Sequence, residues 1–119
     1  MHVTHLFKSL KYSLRGLAAA WRDEIAFRQE CLLAVLHFAA LAVLPLSLGI
    51  RVLMAVLWVV LIAVELLNTA IETVTNLASP EYHVLAGKAK DCASAAVFVI
   101  VMLIICSWVI LVTKLMLKY

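Results

Sequence analysis

Residues 93–113 run ASAAVFVIVMLIICSWVILVT, without one charged side chain. A helix needs about 20 predominantly apolar residues to cross the hydrocarbon core of a bilayer, so this stretch predicts a membrane-spanning helix. Two earlier stretches extend the pattern. Residues 31–50, CLLAVLHFAALAVLPLSLGI, also lack a formal charge, and residues 52–64, VLMAVLWVVLIAV, become long enough once the helix continues through Glu65 and Asn68. Of the 119 residues, 66% are hydrophobic and 14% charged. A soluble domain carries roughly 25% charged residues and about 45–50% apolar ones. Too few polar residues remain here to cover a water-facing surface.

Ahead of the first apolar run, Leu6, Leu10, Leu14, Leu17 and Trp21 recur at steps of four, four, three and four, which is one helical face. Lys8, Lys11, Arg15 and Arg22 take the other faces. This describes an amphipathic helix lying in the membrane interface. The expected fold is therefore an all-α membrane protein, an N-terminal amphipathic interfacial helix followed by three transmembrane helices. The helix boundaries are expected at about 6–28, then 31–49, 52–72 and 93–113, within a single domain over 1–119. Pro45 and residues 48–51 form the short turn between the first two spans. Ser79-Pro80 breaks the helix after the second, residues 73–92 form a polar stretch, and Gly87 offers a turn or close backbone approach.

Charge placement suggests an orientation. Lys8, Lys11, Arg15, Arg22 and Arg28 precede the first span, Lys88 and Lys90 follow the second, and Arg51 stands alone in the first turn. The positive-inside rule then puts the N-terminus and the 73–92 stretch in the cytoplasm and the C-terminus outside, although Lys114 and Lys118 oppose that assignment. The net charge of +3 lies beside a membrane span, where anionic lipid explains it better than nucleic acid does. The first apolar run begins too late for a signal-peptide core.

Ionisable groups inside a membrane cost about 2.5–3.5 kcal/mol at mid-helix and mark functional sites by default. Glu65 ends an apolar run, and Asn68, Glu72 and Asn76 follow on the same helical stripe. A carboxylate at the apolar boundary can act as a general base. A second one nearer water can hold a divalent cation through hard oxygen ligands. Residues 81–91 gather Glu81, Tyr82, His83, Lys88, Lys90 and Asp91, with lysines able to meet phosphate oxygens. Neither a Walker loop nor a G-x-G-x-x-G pattern occurs, so the nucleotide cradles of soluble folds are excluded. Asp23, Glu24, Arg28, Gln29 and Glu30 make a second polar cluster, which alone reads as an interfacial collar. His37 is expected to be a buried, hydrogen-bonded residue, and Trp21, Trp58 and Trp108 packing or interface anchors. Cys31, Cys92 and Cys106 show no metal-like spacing and behave as small hydrophobes.

Glu65-Leu66-Leu67-Asn68-Thr69-Ala70-Ile71-Glu72 has the form E-x-x-N-[ST]-A-x-E. It resembles the signature of the bacterial integral-membrane diacylglycerol kinases, a family that also contains undecaprenol kinases. Residues 19–30, AAWRDEIAFRQE, and Glu81-Tyr82-His83 followed by Gly87-Lys88-Ala89-Lys90-Asp91 agree with it. Position 76 departs: the family usually has an acid there and this chain has Asn76. His5 stands where some relatives place an arginine.

The resemblance implies ATP-dependent phosphorylation of a membrane-lipid hydroxyl, with diacylglycerol going to phosphatidic acid. Undecaprenol is the alternative lipid, and a non-enzymatic, channel-like oligomer the alternative of another class. It makes Glu65 the catalytic base and Glu24 and Glu72 the ligands of the Mg2+ that accompanies ATP. Nucleotide contacts fall on Tyr12, Glu24, Glu72, Glu81, Tyr82, His83, Lys90 and Asp91. Lipid contacts fall on Ser9, Ser13, Ala26, Phe27, Arg28, Gln29, Glu30, Arg51, Glu65, Asn68 and Ser94. It further implies a homotrimer with sites shared between subunits, in the bacterial inner membrane, and no nucleic-acid partner.

Overall fold

The computed structural model describes residues 2–118. They form four helices in chain order: α1 (His2–Asp23), α2 (Ile25–Val43), α3 (Leu48–Ala78) and α4 (Val84–Leu117). The last three are long and apolar enough to cross a membrane, and α1 precedes them, as the apolar runs and the leucine spacing require. Among the described residues there is no strand.

The helix boundaries differ from the expected ones for identifiable reasons. The amphipathic helix was expected to run to about residue 28, but the chain breaks at Glu24, whose backbone is extended (φ −113°, ψ 111°). Neither Pro nor Gly marks that break. The Arg28 guanidinium reaches back and donates to the carbonyls of Trp21 at 3.3 Å and Arg22 at 3.2 Å, satisfying acceptors that the end of a helix leaves open. At the other end of α2, Pro45 prevents continuation, and Ser47 caps α3 by accepting from the Ile50 N–H at 3.4 Å. Gly49 and Ile50 thus lie in α3 and not in the turn.

Most of the 73–92 stretch is also helical. After Gly49 no Pro or Gly occurs in α3 before Ser79-Pro80, and α4 starts at Val84, where the His83 ring caps it: Nδ1 accepts from the Leu85 N–H at 3.0 Å. Gly87 is in the first turns of α4, beneath the Tyr82 ring, and makes no turn. At 31 and 34 residues, α3 and α4 are about 46–51 Å long at 1.5 Å per residue. They outlast a ~30 Å hydrocarbon core and carry their polar ends into water.

Packing follows steps of three and four residues. Phe27, Glu30, Ala34, His37 and Leu41 form the inward seam of α2, and Met54, Trp58, Leu61 and Glu65 that of α3. Ala93, Val97, Ile100, Ile104, Trp108 and Leu111 form that of α4. This is the spacing of helices that pack along a left-handed supercoil. Leu41, Met54 and Leu111 make one core cluster, and Leu61, Ile100 and Ile104 the next along the axis. Beyond the second cluster the α3 seam ends on Glu65.

Candidate functional site

Glu65 is only 4% exposed. Its place on the α3 seam, one turn past Leu61, turns its carboxyl toward α2, where the Glu30 carboxyl lies beside it. Among the described residues Glu30 Oε2 is buried and receives no hydrogen bond. A buried acceptor without a donor is unfavourable by about 1–3 kcal/mol, so this one oxygen of the pair is open to a donor. A hydroxyl placed between the two carboxyls would supply what is missing.

The stripe predicted on α3 changes environment along its length. Glu65 is buried, Asn68 half-buried, and Glu72 and Asn76 exposed. Seven residues separate the two glutamates, about 10.5 Å of rise, and α3 is unbroken between them. One unbroken element thus presents one carboxylate in an apolar seam and another at an open surface.

A cavity of about 640 Å³ opens between α1 and the adjacent face of α3. Ser13, Asp23, Glu24, Thr69 and Thr73 supply its polar lining. Arg22 pairs with Asp23 at 2.9 Å and, through that hydrogen bond, holds the Asp23 carboxyl below its usual range. Glu24, at the helix break, is therefore the half-buried acid of this wall with no ion pair among the described residues. Thr69 and Thr73 were not singled out from the sequence. Thr69 lies about 40–60° and Thr73 about 80–100° round the helix from Glu65 and Glu72 at 100° per residue, and only the position of α1 makes their face a wall. Glu72 does not line this cavity and projects from the neighbouring face.

A second, smaller cavity of about 140 Å³ forms where α3 passes to α4. Glu81, Tyr82, His83 and Lys90 line it together with Asn76 and Ser79. Four of the predicted nucleotide residues are thus neighbours, and Asn76 joins them. Small-ligand sites usually measure about 300–1,000 Å³, so this crevice is too small to enclose such a ligand by itself. Asp91 is exposed on α4 beside it, and Tyr12 is exposed on α1 outside both cavities.

The predicted lipid residues are dispersed. Ser13 donates to the Ser9 carbonyl within α1, and Phe27 is buried in the α2 seam. Ala26, Gln29 and Ser94 are exposed. Arg28 is used at the α1–α2 break. Arg51 is near the opposite end of α3 from Glu72, donating to the carbonyls of Leu46 and Leu44 at 3.0 Å each and of Ala42 at 3.5 Å. Among the described residues no three acids, histidines or cysteines converge as a metal cage. Two carboxylates suit Mg2+, which keeps waters and takes substrate phosphate oxygens as its remaining ligands, and Glu24 and Glu72 offer hard oxygens of that kind.

Comparison with known proteins supplies the frame for this geometry. The model of the prokaryotic diacylglycerol kinase family matches residues 11–112. A diacylglycerol kinase of Haemophilus influenzae is 43% identical over 110 residues, covering 89% of this chain and 90% of its own length. That of Escherichia coli is 40% identical over 108 residues, with 91% and 88% covered. One from Helicobacter pylori is 45% identical over 94 residues, with 76% and 71% covered.

Proposed function

This chain belongs to the prokaryotic diacylglycerol kinase family, and on that premise we propose that it transfers the γ-phosphoryl group of ATP to the free hydroxyl of diacylglycerol, with Glu65 as general base. The observation that carries this reading is a buried carboxylate at Glu65 and an exposed one at Glu72 on a single unbroken helix. A lipid hydroxyl reaches the first from the membrane side, and a nucleotide reaches the second from water.

The Glu65 carboxylate accepts the proton of the lipid hydroxyl as its oxygen bonds to the γ-phosphorus. The bond from that phosphorus to the β–γ bridging oxygen breaks, and ADP leaves with the electron pair. The products are phosphatidic acid and ADP. Glu30, whose Oε2 carries no hydrogen bond among the described residues, orients the lipid headgroup beside Glu65. Asn68, one turn on, contacts the same headgroup. Ser9, Ser13, Ala26, Phe27, Arg28, Gln29 and Ser94 are the further lipid contacts proposed.

Tyr12, Glu81, Tyr82, His83, Lys90 and Asp91 hold the nucleotide. The His83 cap fixes Nδ1 as an acceptor, which leaves Nε2–H free to donate. Lys90 supplies a cation for phosphate oxygens. Glu24 and Glu72 would hold magnesium, which when bound neutralises phosphate charge in a transfer that depends mainly on positioning and electrostatics.

One chain supplies these groups from separate walls, with Glu72 outside the α1–α3 cavity and the nucleotide crevice too small to enclose ATP. A neighbouring subunit closes the site in the homotrimer we propose. The nucleotide side faces the cytoplasm of the bacterial inner membrane, with the C-terminus outside.

The test is a lipid panel. Purified protein with ATP and magnesium should phosphorylate diacylglycerol faster than undecaprenol. Faster turnover of undecaprenol would reassign the substrate, and no transfer to any lipid would remove the function.

A further inference from the structure

We infer that His37 is a positioning residue for lipid phosphorylation: it locks the Trp58 indole that holds the Glu30 backbone, and so sets where the Glu30 carboxyl stands beside Glu65. The inference rests on the lipid-kinase reading above and adds to it a residue outside the signature blocks.

The imidazole is 5% exposed within α2. Trp108 Nε1–H donates to its Nδ1 at 3.1 Å. An indole nitrogen can only donate, so Nδ1 is the acceptor and the proton of the neutral ring is on Nε2. That nitrogen lies 2.9 Å from the Met54 carbonyl oxygen and donates to it. Each edge of the ring is satisfied by a different helix, α4 on one side and α3 on the other.

The faces of the ring are used as well. Trp58 lies across it with centroids 4.5 Å apart and planes 34° apart, and Trp108 meets it edge-on at 5.5 Å and 85°. Trp58 then passes the constraint onward, because its Nε1–H donates to the Glu30 carbonyl at 3.2 Å. Glu30 and His37 are two turns apart on one stripe of α2, and Trp58 and Glu65 two turns apart on α3.

An aliphatic residue would fill this seam at no desolvation cost, as Leu41 does one turn further along α2. Apolar contacts tolerate sliding and rotation of one helix on another. Two directional hydrogen bonds and a stacked ring do not, and buried polar groups are best attested as devices that fix register. The register fixed here is that of the segment presenting Glu30 to Glu65. A proton acceptor and its neighbour lose efficiency on displacements of about 1 Å.

Two variants separate this role from simple packing. His37→Phe keeps an aromatic ring in the seam and removes both hydrogen bonds. His37→Gln keeps one donor and one acceptor. In full-length protein with diacylglycerol and ATP, His37→Phe should lower kcat by on the order of tenfold, up to about a hundredfold, with the KM for ATP unchanged. His37→Gln should recover most of that loss. In 1H–15N spectra the Trp108 indole resonance should move in His37→Phe and stay near its original position in His37→Gln. An unchanged kcat in folded His37→Phe, or an equal loss in both variants, would overturn the positioning role. An unmoved Trp108 resonance would show that the clamp does not exist. Should the wild type phosphorylate no lipid, the kinase reading falls, while the indole spectra still decide the clamp.

Discussion

Arg51 illustrates how far a side chain's chemistry can be read before its neighbours are known. The family resemblance assigns it to lipid. In the fold its guanidinium spans the open carbonyls at the end of α2, about 21 Å of helix away from Glu65 at 1.5 Å per residue. Arg51→Leu should therefore lower resistance to denaturant by about 1–3 kcal/mol, the cost of unpaired acceptors, with the KM for diacylglycerol near wild type. A raised lipid KM at unchanged stability would instead make Arg51 a substrate contact. His37 shows the complementary case. Its burial is legible from its apolar flanks, but its partners are 17 and 71 residues away, and no local pattern announces a contact of that range. Thr69 and Thr73 stayed hidden because their significance comes from α1, not from α3.

The helices themselves were legible because hydrophobicity and length dominate in a membrane. Their ends were less so. Ser79-Pro80 ended α3 as expected, since proline cannot continue a helix. The break at Glu24 has no such marker and depends on Arg28 folding back onto α1. The polar composition of 73–92 suggested a loop, yet those residues extend α3 and α4 into water, where polar side chains and a helical backbone are compatible. The extension is what gives α3 its function in this account. If Glu72 stands at the water end of the same rod as Glu65, Glu72→Ala should raise the magnesium concentration needed for half-maximal rate and leave the KM for diacylglycerol nearly unchanged. An unaltered magnesium dependence would take Glu72 out of the metal site.

At the scale of the molecule, one chain offers a buried acid pair, a lateral cavity carrying Glu24, and a separate crevice lined by Lys90. Large apolar residues remain exposed along every helix, which suits lipid and neighbouring subunits alike. The central claim is that Glu65 takes the proton from the lipid. The most direct measurement is diacylglycerol turnover by Glu65→Gln, with the mass of the particle determined by light scattering on the same sample. A carboxamide matches the carboxylate in shape and cannot accept that proton, so turnover should fall by about 10²–10⁴-fold while the particle keeps the wild-type mass. Turnover close to wild type in a particle of unchanged mass would contradict the account.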